Sequence, residues 1–142
     1  MKFARALVLI LAGSAVLWGF AMLMNSLDGR KHPRRLAFIL NNPSIPSSVR
    51  DVDCSSDAIT DVIISCAFAI DPNDFEQLLA GWEFDQQASG TGTSYEEYPN
   101  LGREFDIGVR YQTQPPSFKH GGVVELLSNA DKTRAVASRY EE

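Results

Sequence analysis

From residue 62 to residue 70 the even positions Val62, Ile64, Cys66, Phe68 and Ile70 are all apolar, while the odd ones are mostly small. A period of two buries one face of a strand, so this stretch predicts a strand with those five side chains turned inward. Upstream, Val52 and Cys54 share one parity and Asp51 and Asp53 the other, and the polar Ser55-Ser56-Asp57 reads as a connection. An antiparallel hairpin follows. Asp71, Pro72 and Asp74 then mark a helix start: Asp71 caps backbone N–H groups, Pro72 suits the first position, and Asp74 adds negative charge at the positive end of the helix dipole. Phe75, Leu78, Leu79 and Trp82 recur at helical spacing, predicting a helix of about three turns that ends near Gly81 and covers the hairpin.

The second half reads as strands alone. Phe105, Ile107, Val109 and Tyr111 alternate with Asp106, Gly108, Arg110 and Gln112, the pattern of a half-exposed strand, and Pro115-Pro116 ends it. Gly121-Gly122 opens a strand over Val123 to Leu127, and the turn formers Asn129 to Lys132 lead into Thr133 to Tyr140, predicting a terminal hairpin. A loop from Asp85 to Leu101, rich in Gly, Ser, Thr and Gln, separates the halves. The expected fold over residues 49–142 is α+β, a β-β-α-β-β-β domain with a mostly antiparallel sheet and one covering helix.

Before this domain the pattern changes to an uninterrupted apolar run. Residues 6–24 carry no charge and follow a short basic n-region, residues 1–5, that holds Lys2 and Arg5. Nineteen residues at helical rise span roughly 28 Å, close to the hydrocarbon thickness of a bilayer. The run is read as a transmembrane signal anchor, since a cleaved signal's apolar region is about 7–15 residues. A cleaved signal is the alternative, and it would make the protein secreted. Leu11-Ala12-Gly13-Ser14 has the outline of a lipoprotein box, but Ser14 lacks the thiol that forms the thioether.

Charge bears on orientation in two opposing ways. Arg30, Lys31, Arg34 and Arg35 flank the run's C-terminal end as a basic patch for lipid head groups, and they outnumber Lys2 and Arg5. Counting Lys and Arg alone would keep the domain in the cytoplasm. A basic extreme N-terminus before one apolar run is, however, the layout of an export signal. Residues 36–142 also keep 7 of the 13 basic and 17 of the 18 acidic residues, a net charge of −10. The expectation is a single-pass protein of a bacterial inner membrane with an extracytoplasmic domain. Residues 25–48 are read as a basic, Pro- and Ser-rich linker, in which Leu36 to Leu40 form an apolar tag that extends toward the membrane or docks on the domain.

The cysteines depend on that compartment. Pairing Val52 with Phe68 would also set Cys54 opposite Cys66, so a disulfide between them is geometrically open, and such a bridge belongs outside the cytoplasm. The alternative is two buried, small apolar residues.

Chemistry-bearing motifs are scarce. His32 and His120 are the only histidines, and the cysteines lack the paired spacing of a zinc site. Asp51, Asp53, Ser55 and Asp57 resemble the start of a calcium loop, but Ser56 stands where glycine is needed and Val62 where glutamate is needed. Ser89 to Ser94 lacks the Gly-Lys-Ser/Thr ending of a phosphate loop. No metal, cofactor or catalytic residue is expected. The acidic domain has no basic stripe for nucleic acid.

Binding remains. Tyr95, Glu96, Glu97 and Tyr98 form a candidate surface for a protein partner, while Trp82, Phe84 and Phe105 serve either that surface or the core. The leading expectation is a non-catalytic, membrane-anchored accessory or interaction domain. The alternative is an immunity or inhibitor protein that neutralises a basic toxin or hydrolase by charge.

The stretch Ile45-Pro46-Ser47-Ser48-Val49, then Asp71-Pro72-Asn73-Asp74-Phe75 with Leu78-Leu79, and finally Gly122-Val123-Val124-Glu125 with Thr133-Arg134, resembles small bacterial envelope proteins with one N-terminal anchor. The resemblance implies a bacterial origin and the strand-helix-strand order, and no activity or site.

Overall fold

Leu36, Ile39 and Leu40 lie at helical spacing behind Pro33, and all three are fully buried. In the computed structural model, which describes residues 33–58, 61–88 and 101–142, they form the inner face of helix α1, Pro33–Leu40. Eight residues are too few for a stable isolated helix. Burying three large aliphatic side chains contributes roughly 1.5–3 kcal/mol each, so α1 depends on its docking. The apolar tag within the expected linker is therefore part of the core. Residues 6–24, Arg30 and Lys31 lie outside the described residues.

The helix ends on Asn41, in the left-handed region at φ 49°. The Asn42 N–H donates to the Ala37 carbonyl at 3.0 Å and the Asn41 N–H to the Phe38 carbonyl at 3.4 Å, the paired bonds of a Schellman termination. Asn is the L-residue that tolerates this backbone at least cost. Its neighbour Asn42 donates from Nδ2 to the Gln77 carbonyl at 2.8 Å, which ties the termination to the next helix.

That helix, Pro72–Gly81, is a 3-10 helix and not the expected α-helix. Its start is as expected, with the Asp71 carboxylate accepting the Asn73 N–H and Pro72 in the first turn. Three residues per turn align Phe75, Leu78 and Gly81 in one line. Phe75 and Leu78 are fully buried, and Gly81 meets the end of α1 so closely that a Cβ there would overlap the Leu40 carbonyl oxygen. Leu79 and Trp82 are partly buried beside this line.

Among the described residues six strands follow α1, with the 3-10 helix between the second and third: β1 (Arg50–Ala58), β2 (Val62–Ala69), β3 (Asp85–Ala88), β4 (Val109–Thr113), β5 (Gly122–Ser128) and β6 (Arg134–Glu141). They make one antiparallel sheet in the order β1-β2-β6-β5-β4-β3. One face carries the main core. Its central row, Cys54, Cys66, Ala137, Leu126 and Tyr111, runs through paired positions of five strands, and every member is buried. The helix α1 packs on β2 and β6, where Ala135 and Ala137 are small enough to admit it.

Four expectations change. β3 falls within the expected loop, Ser55-Ser56-Asp57 lies inside β1 and is not the expected connection, and the expected pairing of Val52 with Phe68 is replaced by a bulge between Arg50 and Asp53. The strand expected from Phe105 begins only at Val109, because the preceding residues lie over the sheet and not within it.

Candidate functional site

The second face of the sheet is built differently. Ser55, Ser65, Ser138, Glu125, Gln112 and Asp85 occupy matched positions on all six strands, a polar row from edge to edge. Ser65 and Ser138 share a hydrogen bond of 2.9 Å within it. The adjacent row is apolar in its middle, where Ala67, Val136 and Leu127 are buried. Ala88 and Val109 are cross-strand partners. Ahead of Val109, Leu101 and Phe105 pack on Ala67 of β2 and Val136 of β6. Residues 101–105 thus form a strap over this face.

Gly102 makes the close approach. It sits at φ 64°, and a Cβ there would stand 2.6 Å from the Ala67 Cβ. Its N–H donates to the Asp53 carboxylate at 3.3 Å, which holds the strap against β1. Two residues earlier, Asp51 occupies the β1 bulge at φ 55°, a conformation that aspartate adopts more readily than most L-residues. The bulge re-aims the strand edge beside the strap.

Between them opens a cavity of about 350 Å³ lined by Asp51, Arg103, Phe105 and Arg134 over Ala67, Phe68, Ala69 and Ala135. Asp51 and Arg103 are exposed and Arg134 is half-buried at the start of β6, opposite Ala69. Two guanidinium groups present planar forks suited to a carboxylate, the Asp51 carboxylate accepts from a cation or an amide, and Phe105 offers an apolar wall. Among the described residues no hydroxyl, thiol or imidazole lines the cavity. Its charged groups suit charge pairing and hydrogen bonding.

The cysteines of the expected bridge do meet. Cys54 and Cys66 are cross-strand partners with Cα atoms 4.0 Å apart, and their sulfurs are bonded. Arg34 is exposed and Arg35 half-buried in the first turn of α1. Tyr95, Glu96, Glu97 and Tyr98 lie outside the described residues. Trp82 and Phe84 pack against the main core, while Phe105 belongs to the strap. His120 is exposed on the turn before β5. Asp51, Asp53, Ser55 and Asp57 extend along β1 instead of wrapping into a loop, and among the described residues no cluster of His, Cys, Asp and Glu could hold a metal ion.

Sequence reasoning missed the cleft because Asp51, Arg103, Phe105 and Arg134 come from separate parts of the chain with no spacing to link them. Two shifted groups lie away from it. The hydrogen bond to Glu76 raises Lys132, and the hydrogen bond to Glu142, ahead of burial and the charge of Asp61, pushes Tyr140 up to about 12. Lys132 also lies 5.1 Å from the Phe75 ring centroid, joining the β5–β6 turn to the 3-10 helix. No family model, curated protein or solved structure matches the chain.

Proposed function

We propose that this chain is a non-catalytic interaction domain of a bacterial envelope, anchored in the inner membrane by residues 6–24 and placed on the extracytoplasmic side. The observation that carries this reading is the Cys54–Cys66 bridge, whose sulfurs close a buried pair at the end of the core row. Such bridges persist in oxidising compartments and are rare in the cytoplasm. Among the described residues no helix is long and apolar enough to cross a membrane, so the anchor reading rests on the apolar run alone.

The cleft between the strap and the β1 bulge supports binding as the role. Its lining suits a segment of a protein partner that presents a carboxylate to Arg103 and Arg134 and a cationic or amide group to Asp51. Placing a photoreactive phenylalanine at Phe105, which lines the cleft and leaves both arginines in place, in the chain in its native membranes tests this. The expected result is one discrete crosslinked product that disappears with Arg134→Glu. The same background from probes at Phe105 and at exposed Glu83 would overturn it.

A further inference from the structure

We propose that the α1 edge of the domain rests on anionic lipid head groups, with the Phe38 ring entering the interfacial layer. This rests on the anchor reading, and it adds which surface of the domain meets the bilayer.

Chain length restricts the choice of surface. Only residues 25–32 separate the end of the apolar run from Pro33, and fully extended they reach at most about 29 Å. Since α1 is fixed into the core through Leu36, Ile39 and Leu40, the tether enters the domain at one defined place. The tether therefore joins the domain at the N-terminal end of α1.

That surface has the chemistry for the contact. Phe38 is 48 % exposed, beside the buried stripe of its own helix. The Arg139 guanidinium lies 4.2 Å from the Phe38 ring centroid and 4.6 Å from that of Phe118, so it is layered between two aromatic side chains. It also donates to the Phe38 carbonyl at 3.3 Å and pairs with Glu141. These contacts position the exposed ring in advance. Arg34, one turn before Phe38, and Lys119, next to Phe118, are both exposed. In residues 33–142, with 9 basic and 17 acidic residues and a net charge of −8, this puts cations beside an outward aromatic ring at the place where the tether enters. An apolar side chain such as Phe beside cations is the chemistry of surfaces that lie in the membrane interface, and juxtamembrane cations are drawn to anionic lipid.

Hydroxyl-radical footprinting of the full-length protein in nanodiscs tests the proposal. Oxidation of Phe38 is read against that of Ile63, which is 42 % exposed on the opposite face of the sheet. With phosphatidylglycerol in the disc, the Phe38-to-Ile63 ratio is expected to be about threefold or more below its value in all-phosphatidylcholine discs, reflecting attraction to anionic lipid. The double variant Arg34→Glu, Lys119→Glu is expected to restore the ratio while still co-eluting with the discs. Equal ratios in both lipids, or a double variant that stays protected, would overturn the proposal and leave the anchor intact. A full-length chain that does not co-elute with discs would overturn the anchor reading, and the docking with it.

Discussion

The Trp82 indole N–H donates to the carbonyl of Ile39 at 2.9 Å, closing the end of a helix that lies 43 residues earlier in the chain. Asn41 adds a bond from Nδ2 to the Gly81 carbonyl at 3.1 Å. Helix α1 is thus locked to the 3-10 helix by polar bonds as well as by packing. Replacing Trp82 with Phe is expected to keep most of the aromatic contact with Phe118 and leave the Ile39 carbonyl without its donor. The expected loss is about 1–3 kcal/mol, measured by urea unfolding.

Gly81 is expected to be the least tolerant position of that junction. A Cβ there overlaps the Leu40 carbonyl, a backbone atom that cannot swing aside. Gly81→Ala should cost about 3 kcal/mol by forcing the two helices apart. By contrast, Asn41→Gly keeps the left-handed backbone, loses only one exposed bond and should change the unfolding midpoint little.

The Cys54–Cys66 bridge closes a loop with a sequence separation of 12. Constraining the unfolded chain over such a loop stabilises the fold by about 3 kcal/mol. The double variant Cys54→Ala, Cys66→Ala should lose about that much in urea unfolding. A reducing agent should destabilise the natural chain similarly and leave the double variant unaffected.

Tyr140 gives the fold an alkaline limit. Its pKa is raised from 10 to about 12 because its hydroxyl donates to Glu142. The folded state therefore holds this proton more tightly than the unfolded chain, so the contribution is fully present below pH 10 and is lost as pH rises through about 12. Lys132, raised above 10.5 by its bond to Glu76, has the same sign. The urea midpoint should fall from pH 10 upward, and Tyr140→Phe should flatten part of that slope. Absorbance at the tyrosinate band should show a late-ionising component that the variant removes.

The elements legible in the sequence are those whose signal is local. The parity of Val62 to Ile70 marks the core face, where Cys66, Phe68 and Ile70 are buried and Val62 and Ile64 partly so, but Ser65 and Ala67 of the other parity are buried as well, on the second face. The same arithmetic set Cys54 against Cys66, whereas nothing local marked the bulge at Asp51 that breaks the register beyond Asp53. Phe75 and Leu78 fit a period of three as well as 3.6, and the choice is made by the contact of Gly81 with Leu40, a tertiary fact. β3 reads Asp-Gln-Gln-Ala, an edge strand with no apolar alternation to reveal it. Phe105 and Ile107 alternate like a strand, but Phe105 packs on Ala67 and Val136 across the second face and neither residue is in a strand. The cleft was illegible for the same reason, since a strap and a bulge bring its charges together.

The central claim is an anchored domain on the extracytoplasmic side. Its most direct test is a pair of fusions after Glu142 of the full chain, one to alkaline phosphatase, active only after export, and one to a fluorescent protein that matures only in the cytoplasm. The account predicts phosphatase activity in the membrane fraction and no fluorescence. Fluorescence without phosphatase activity would contradict it, placing the domain and its cysteines in a reducing compartment.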